Sequence, residues 1–283
     1  MTYLIEGKEN RVAFFRYPGG KSKFQKQINN HILENHYEFA TPKFEQYREL
    51  FFGGGSIGLD LKLVESDSWI NDKDIGLWCL WTSVRDYPEE LSEYVSNYQP
   101  KVQDFYDFKD SLKNIADIPE EKSQIVLVGF RKLAIHQISY SGLGTMSGSP
   151  LGGKLQKSDY PIDCRWSPDY LVKNIAIASK SLKNTTITCS DYSDLIVDTT
   201  KSAFLYIDPP YYEKGSQLYQ HSFNEDHHKH LANLLQKTSH QWLLSYDDCD
   251  YIRNLYSWAK IKTLNANYSI SGATKKSELL IYR

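Results

Sequence analysis

The chain has 283 residues, 41% of them hydrophobic, and a formal net charge of −2, enough for one large or two modest domains with an ample core. No stretch approaches the roughly 18 uninterrupted apolar residues of a membrane span, and the opening MTYLIEGKENR lacks the apolar centre of a signal peptide, so cytoplasmic residence is expected. Near-neutrality excludes a global positive field, and Cys79, Cys164, Cys189 and Cys249 show neither a C-x-x-C pair nor Cys/His zinc spacing, so reduced thiols and no metal are expected.

The segment RYPGGKSKFQKQINNHI places Gly19-Gly20 before a predicted helix whose Phe24, Ile28 and Ile32 share a face. PGGKS fails as a Walker-type phosphate loop, because Phe15 stands where that loop needs its first glycine. Lys21 at a helix start suits a ligand carboxylate or a DNA phosphate instead. A short strand, YRELFF, then leads through the turn GGGSIG into a predicted helix, LDLKLV. A second strand, SWIND, ends on Asp72 and feeds the helix IGLWCLWTSVRDY. This βαβα order opens a doubly wound sheet.

Residues 88–180 lose strand character. They are helical through SQIVLVGFRKLAIHQI and then break into SYSGLGTMSGSPLGGK, too rich in Gly and Ser to pack a core and too long for an ordinary connection. Lys122 to Ser158 contains no Asp or Glu but holds Lys122, Arg131, Lys132, Lys154 and Lys157. Such a patch can pair with phosphates even on a near-neutral protein; a solvated loop is the plainer reading. From about Ser181 the alternation resumes with strand TTITC leading to Asp191, strand AFLYI ending on Asp208, helix HKHLANLL, strand QWLLSY, helix DCDYIRNLY, and closing strands WAKIKTL and ELLIYR. His227, His228 and His230 follow Asn224-Glu225-Asp226 and read as a solvated first helical turn rather than as ligands. The expected organisation is one α/β domain, 1–87 and 181–283, interrupted by a mainly helical insert at 88–180.

The decapeptide AFLYIDPPYY carries the most chemistry. Its apolar run reads as a buried strand that delivers Asp208 to the carboxyl end, where open α/β sheets bind ligands. Pro209 and Pro210 stop the ladder. Asp208 and the Pro209 carbonyl can each accept one N–H of a planar amino substrate while Tyr211 stacks on its ring; a simple Asp-Pro turn is the alternative. Glu49 near the first strand, Asp72 after the second, Asp191 after the third and Asp208 after the fourth would converge on one sheet edge. An acid after the second strand suits a ribose diol, and Gly53-Gly54-Gly55 leave room for close ligand approach.

In this order, RYPGGKSKF, ELFFGGGSIGL, IND, CSDY and DPPYY resemble the Dam-type DNA adenine methyltransferases of the α arrangement, over nearly the whole chain. The resemblance implies a Rossmann-like seven-strand sheet with a reversed final hairpin, S-adenosylmethionine as methyl donor, double-stranded DNA as partner and a target-recognition insert. It implies that Tyr17, Lys21, Glu49, Phe51 and the turn Gly53, Gly54, Gly55 line the methionine end and that Asp72 holds the ribose hydroxyls. Asp191 would bond the cofactor's adenine amino group. Asp208, Pro209, Pro210 and Tyr211 would hold the flipped target base, and Arg131, Lys132, Ser141, Lys154 and Lys157 would contact DNA. It further implies a monomer or weak dimer in a bacterial or phage-infected cell, with a cognate restriction endonuclease as a candidate partner. Leu50 stands where the family often has proline, and Ser141 where members that read GATC tend to have asparagine, so the recognition sequence is not inherited. Two rivals are an amino-methyltransferase of RNA or a protein amide on the same fold, and a DNA-binding regulator that has lost catalysis.

Overall fold

The apolar runs that end on acids become the strands of one seven-stranded sheet in a computed structural model, which describes residues 15, 17–21, 23–38, 41–213, 215, 221–265 and 277–283. The strands are β1 (Gln46–Glu49), β2 (Ser68–Asn71), β3 (Thr185–Thr188), β4 (Ala203–Ile207), β5 (Gln241–Asp247), β6 (Lys260–Asn265) and β7 (Ser277–Tyr282), in the spatial order β3-β2-β1-β4-β5-β7-β6. Pairings from β3 through β5 are parallel, and β7 runs antiparallel to both neighbours. Every residue of β1 and β4 is buried, as central parallel strands covered on both faces require. Chain order reverses between them, which opens a crevice at their carboxyl ends.

The first expected strand is shorter than YRELFF. After Glu49 the chain leaves the ladder: the Asn71 side-chain amide donates to the Leu50 carbonyl, 3.2 Å, and the Phe52 N–H to the Asn71 carbonyl, 2.9 Å. The expected helix LDLKLV does not form. Lys62 adopts a left-handed conformation, φ 54°, and the Leu63 N–H reaches back to the Gly58 carbonyl, so the i→i+4 ladder breaks into turns and a 3₁₀ turn at Leu63–Glu65.

One sheet face is covered by α1 (Gln25–His36) and α2 (Ile75–Asp86), and onto α2 pack the helices of residues 88–181: α3 (Pro88–Asn97), α4 (Val102–Lys113), α5 (Lys122–Ile138) and α6 (Pro168–Ser181). Leu80, Trp81 and Val84 of α2 share one apolar cluster with Val126, Phe130 and Leu133 of α5 and Leu171 and Ile175 of α6. The insert therefore extends the core. Gly129 permits it, since a Cβ there would lie 2.8 Å from the Cys79 carbonyl oxygen. The opposite face is covered by α7 (Tyr192–Val197), α8 (Glu225–Lys237) and α9 (Asp250–Leu255). Among the described residues, no helix is long and apolar enough to cross a membrane.

The start of α8 only partly follows the expectation of a solvated turn. Asn224 and His227 form a capping box, with the His227 N–H donating to Asn224 Oδ1 at 2.9 Å. His228, however, is buried and its Nδ1 meets the Tyr246 hydroxyl, because its position on α8 faces the sheet. The Gly/Ser-rich segment after α5 is ordered by local polar contacts. Gly144 donates to Ser139 Oγ at 2.9 Å, and the His136 ring lies 2.9 Å from the Gly142 carbonyl, close enough to Gly144 to forbid a side chain there.

Candidate active site

A cleft of about 830 Å³ opens at the carboxyl ends of β1, β2 and β4. Its wall carries Tyr17, Lys21, Glu49, Phe51, Gly53, Gly54, Asp72, Ser141, Asp191, Asp208 and Pro210. The four strand-following acids thus meet in one place. They do so because β1 aligns Glu49 with Ile70 of β2 and Tyr206 of β4, which brings the ends of the three strands level. Gly55 lies behind the wall, tight against Phe52 and Leu59.

Asp208, one residue past β4, sits in a polar cluster. Its Oδ1 accepts from Lys21 Nζ at 2.6 Å and from Ser245 Oγ at 2.9 Å. The Lys21 ammonium is buried and also donates to the Tyr211 hydroxyl, 2.6 Å, and the Gly19 carbonyl, 3.1 Å, with Glu278 4.0 Å away. Lys21 is therefore withdrawn from solvent and committed to Asp208, where it is not available to a DNA phosphate. Burial pushes the Asp208 carboxyl above its usual range, opposed by the Lys21 charge and by the hydrogen bonds from Lys21 and Ser245. Glu49 is fully enclosed beside it. Burial raises its carboxyl to about 8, against the hydrogen bond from the Tyr47 hydroxyl at 2.7 Å, so Glu49 is held neutral at pH 7.

Asp72 forms the second pole. Its Oδ2 accepts from the Gly53 N–H, 2.9 Å, and its Oδ1 from the Asp74 N–H, 3.0 Å, which fixes the carboxylate across the glycine turn and leaves lone pairs for further donors. A ribose diol is a matching donor set. Tyr17 lies over the same turn: a Cβ on Gly53 would fall 2.7 Å from its ring, and one on Gly54 2.9 Å from its Cβ. Gly53 also holds φ +48°. Gly53→Ala is expected to cost about 1–2 kcal/mol of stability. Thermal unfolding checks this, and unchanged stability in the variant would contradict the close packing of Tyr17 on this turn.

Asp191 begins α7 as its N-cap, with Oδ1 accepting from the Ser193 N–H at 3.0 Å and Lys73 3.7 Å from Oδ2. Burial acts to raise its carboxyl but is outweighed by Ser193 and Lys73, which leave it lowered. Phe51, Tyr192 and Phe223 form an aromatic wall beside it, with ring centroids 5.4–5.6 Å apart. Phe223 and Ser245 carry no motif, and Tyr192 and Asn71 lie within CSDY and IND without a role of their own expected there. Ser245 could be found only from register, since Leu244 pairs with Ile207 and places Ser245 level with Asp208. Among the described residues, no three His, Cys, Asp or Glu side chains are placed to hold a metal ion.

The residues expected to contact DNA divide. Ser141 is exposed at the cleft wall, and Lys154 and Lys157 are exposed on the insert. Arg131 is half-buried with its guanidinium 5.8 Å over the Phe108 ring. Lys132 is the correction: it is 3% exposed and ion-paired with Asp74 at 2.5 Å, so it points into the protein and cannot meet a phosphate.

Residues 17–270 match the family model described as D12 class N6 adenine-specific DNA methyltransferase. The chain belongs to this family. Curated relatives agree in length and type. The type II methyltransferase M.MjaIII of Methanocaldococcus jannaschii is 27% identical, covering 95% of this chain and 96% of its own. A DNA adenine methylase of Vibrio cholerae is 22% identical over 95% and 94% of the two chains. The type II methyltransferase M1.LlaDCHI of Lactococcus lactis is 25% identical over 75% and 69%. The methyltransferase fold with a reversed strand beside the sheet edge, the enzymatic nature of the chain and adenine in DNA as its target all agree with the reading of DPPYY and the acidic strand ends. An RNA or protein-amide methyltransferase and a non-catalytic regulator do not.

Proposed function

We propose that the chain transfers a methyl group from S-adenosylmethionine to N6 of an adenine rotated out of duplex DNA, with Asp208 and the Pro209 carbonyl accepting the two amino protons and Tyr211 lying against the base. The supporting observation is the Lys21 ammonium 2.6 Å from Asp208 Oδ1: an N–H donor already occupies the kind of position that an exocyclic amino group requires. Bound in the cleft, S-adenosylmethionine supplies a methyl on a sulfonium, whose departure leaves a neutral thioether. Asp72 would accept from its ribose hydroxyls and Asp191 from its adenine amino group, with Phe51 and Tyr17 at the sides.

Adenine's amino lone pair is delocalised into its ring. Drawing both N–H bonds onto acceptors localises the pair on nitrogen and aims it at the methyl carbon. Methylation would oblige the amino nitrogen to shed a proton, and Asp208, its carboxyl raised by burial, is the base beside it. Extrusion of the base costs about a few kcal/mol, and the exposed Lys154, Lys157 and Ser141 of the insert are the contacts proposed to hold the duplex during it. The type II names of two relatives support a site-specific enzyme paired with a restriction endonuclease.

Expression in a cell free of DNA methylation, followed by genome-wide mapping, is expected to yield N6-methyladenine at one recurrent sequence; unmodified DNA with folded protein present would overturn the reading. Tyr211→Ala is expected to raise the DNA KM or lower the transfer rate by about 10–100-fold, the size of one lost aromatic–base stack. Steady-state transfer to duplex oligonucleotides measures it, and unchanged kinetics would remove Tyr211 from the base.

A further inference from the structure

Lys132 belongs to the insert by sequence but serves the cofactor cleft by position. Its aliphatic stem crosses α2 at Gly76, where a Cβ would lie 2.9 Å from Lys132 Cδ, so only glycine leaves the path open. Its ammonium ends 2.5 Å from Asp74 Oδ2. Asp74 uses its other oxygen to cap α2 through the Leu77 N–H, 3.0 Å, and gives its own N–H to Asp72 Oδ1, 3.0 Å. One turn along α5, His136 packs against Tyr17 with centroids 5.3 Å apart, so both walls of the cleft are braced by the same helix.

We propose that Lys132 is a positioning residue for the methyl donor: from the insert it holds Asp74, and through the Asp74 backbone it fixes the ribose-binding carboxylate of Asp72. The inference rests on the proposed role of Asp72. It predicts a pH signature that packing alone would not produce. Burial raises Asp72 to about 6, the Asp74 charge adds to the rise, and Lys132 opposes it. Asp74 itself is held low by Lys132 against its burial. The other groups facing this pair are Glu49, Cys79, Cys189, His136 and His221. An ionised Asp72 accepts both ribose hydroxyls, so affinity should fall as pH drops through its titration. Losing the Lys132 cation raises Asp74 as well, so that fall moves to higher pH only while Asp74 stays ionised; neutralising Asp74 moves it to lower pH.

The test is calorimetric titration of S-adenosylmethionine into the full chain from about pH 5 to 8, for the wild type, Lys132→Met, Lys132→Arg, Asp74→Asn, the Lys132→Met/Asp74→Asn double variant and Asp72→Ala. Lys132→Met is expected to weaken binding about fivefold or more at neutral pH, with its acid limb displaced from the wild-type position. Lys132→Arg should retain affinity, Asp74→Asn should displace the limb downward, and the double variant should return it toward the wild-type position. Limbs unmoved from the wild-type position in both single variants, or unchanged affinity in Lys132→Met, would overturn the proposal. Should Lys132→Met fail to fold, Asp74→Asn and the double variant decide. Full affinity in Asp72→Ala would sink the ribose assignment itself, whereas lost affinity there with an unaffected Lys132→Met would sink the Lys132 role alone.

Discussion

Asp208→Ala is expected to lower methyl transfer by about a thousandfold or more at saturating substrates, while S-adenosylmethionine still binds. The carboxylate is one of two acceptors that localise the amino lone pair, and its proton-accepting role has no substitute at hydrogen-bond distance among the described residues: Glu49 is enclosed and held neutral near pH 7 by a carboxyl raised to about 8. The cofactor's ribose and adenine ends lie with Asp72 and Asp191 in this reading, which is why affinity should survive. Asp208→Asn provides the control, because its amide oxygen can still accept one N–H. It should retain more rate than the alanine variant and lose the acid limb of the pH profile. Single-turnover transfer from labelled cofactor to duplex DNA, with calorimetric binding in parallel, makes the comparison. Full activity in the alanine variant would remove Asp208 from the chemistry.

Lys21→Met is expected to cut the transfer rate about a hundredfold at neutral pH and to move the acid limb of the pH–rate profile upward. The sign comes from the geometry. Burial raises Asp208 and Lys21, 2.6 Å away, is the largest opposing influence, so deleting the cation raises the carboxyl further. Activity needs the ionised form and is lost as pH falls through that titration; in the variant the loss begins at higher pH. Part of the rate should therefore return under alkaline conditions. A profile that drops in parallel with the wild type, with no displaced limb, would mean that Lys21 acts on something other than the Asp208 charge.

Much of this site was legible before any fold was known. A buried strand must end, and the residue just past its end faces the sheet edge, so an apolar run closed by Asp-Pro-Pro locates Asp208 without coordinates. The same logic placed Glu49, Asp72 and Asp191 on one edge, and the glycines before Ser56 marked where backbone had to be bare. These inferences work because strand burial and chain reversal are local properties of sequence. The helix expected at LDLKLV shows their limit: its apolar spacing is helical, yet Lys62 turns left-handed and the segment folds into turns.

Charge and polarity are where sequence alone falls short. Lys132 looks like its neighbours in an acid-free stretch, and nothing in its letter distinguishes it from Lys154 or Lys157. Only the packing of α5 on α2, with Gly76 clearing the way, carries its ammonium to Asp74. His228 is likewise polar in a polar run and becomes buried because α8 turns it toward Tyr246. Ser245 has no motif and reaches Asp208 through the register of β5 on β4. By itself the sequence determined the family, the order of the strands' acids and the residue types at the reacting edge, since these arise from local patterning. The tertiary structure alone decided which charges pair, because a long side chain's partner is set by how elements far apart in the chain pack together.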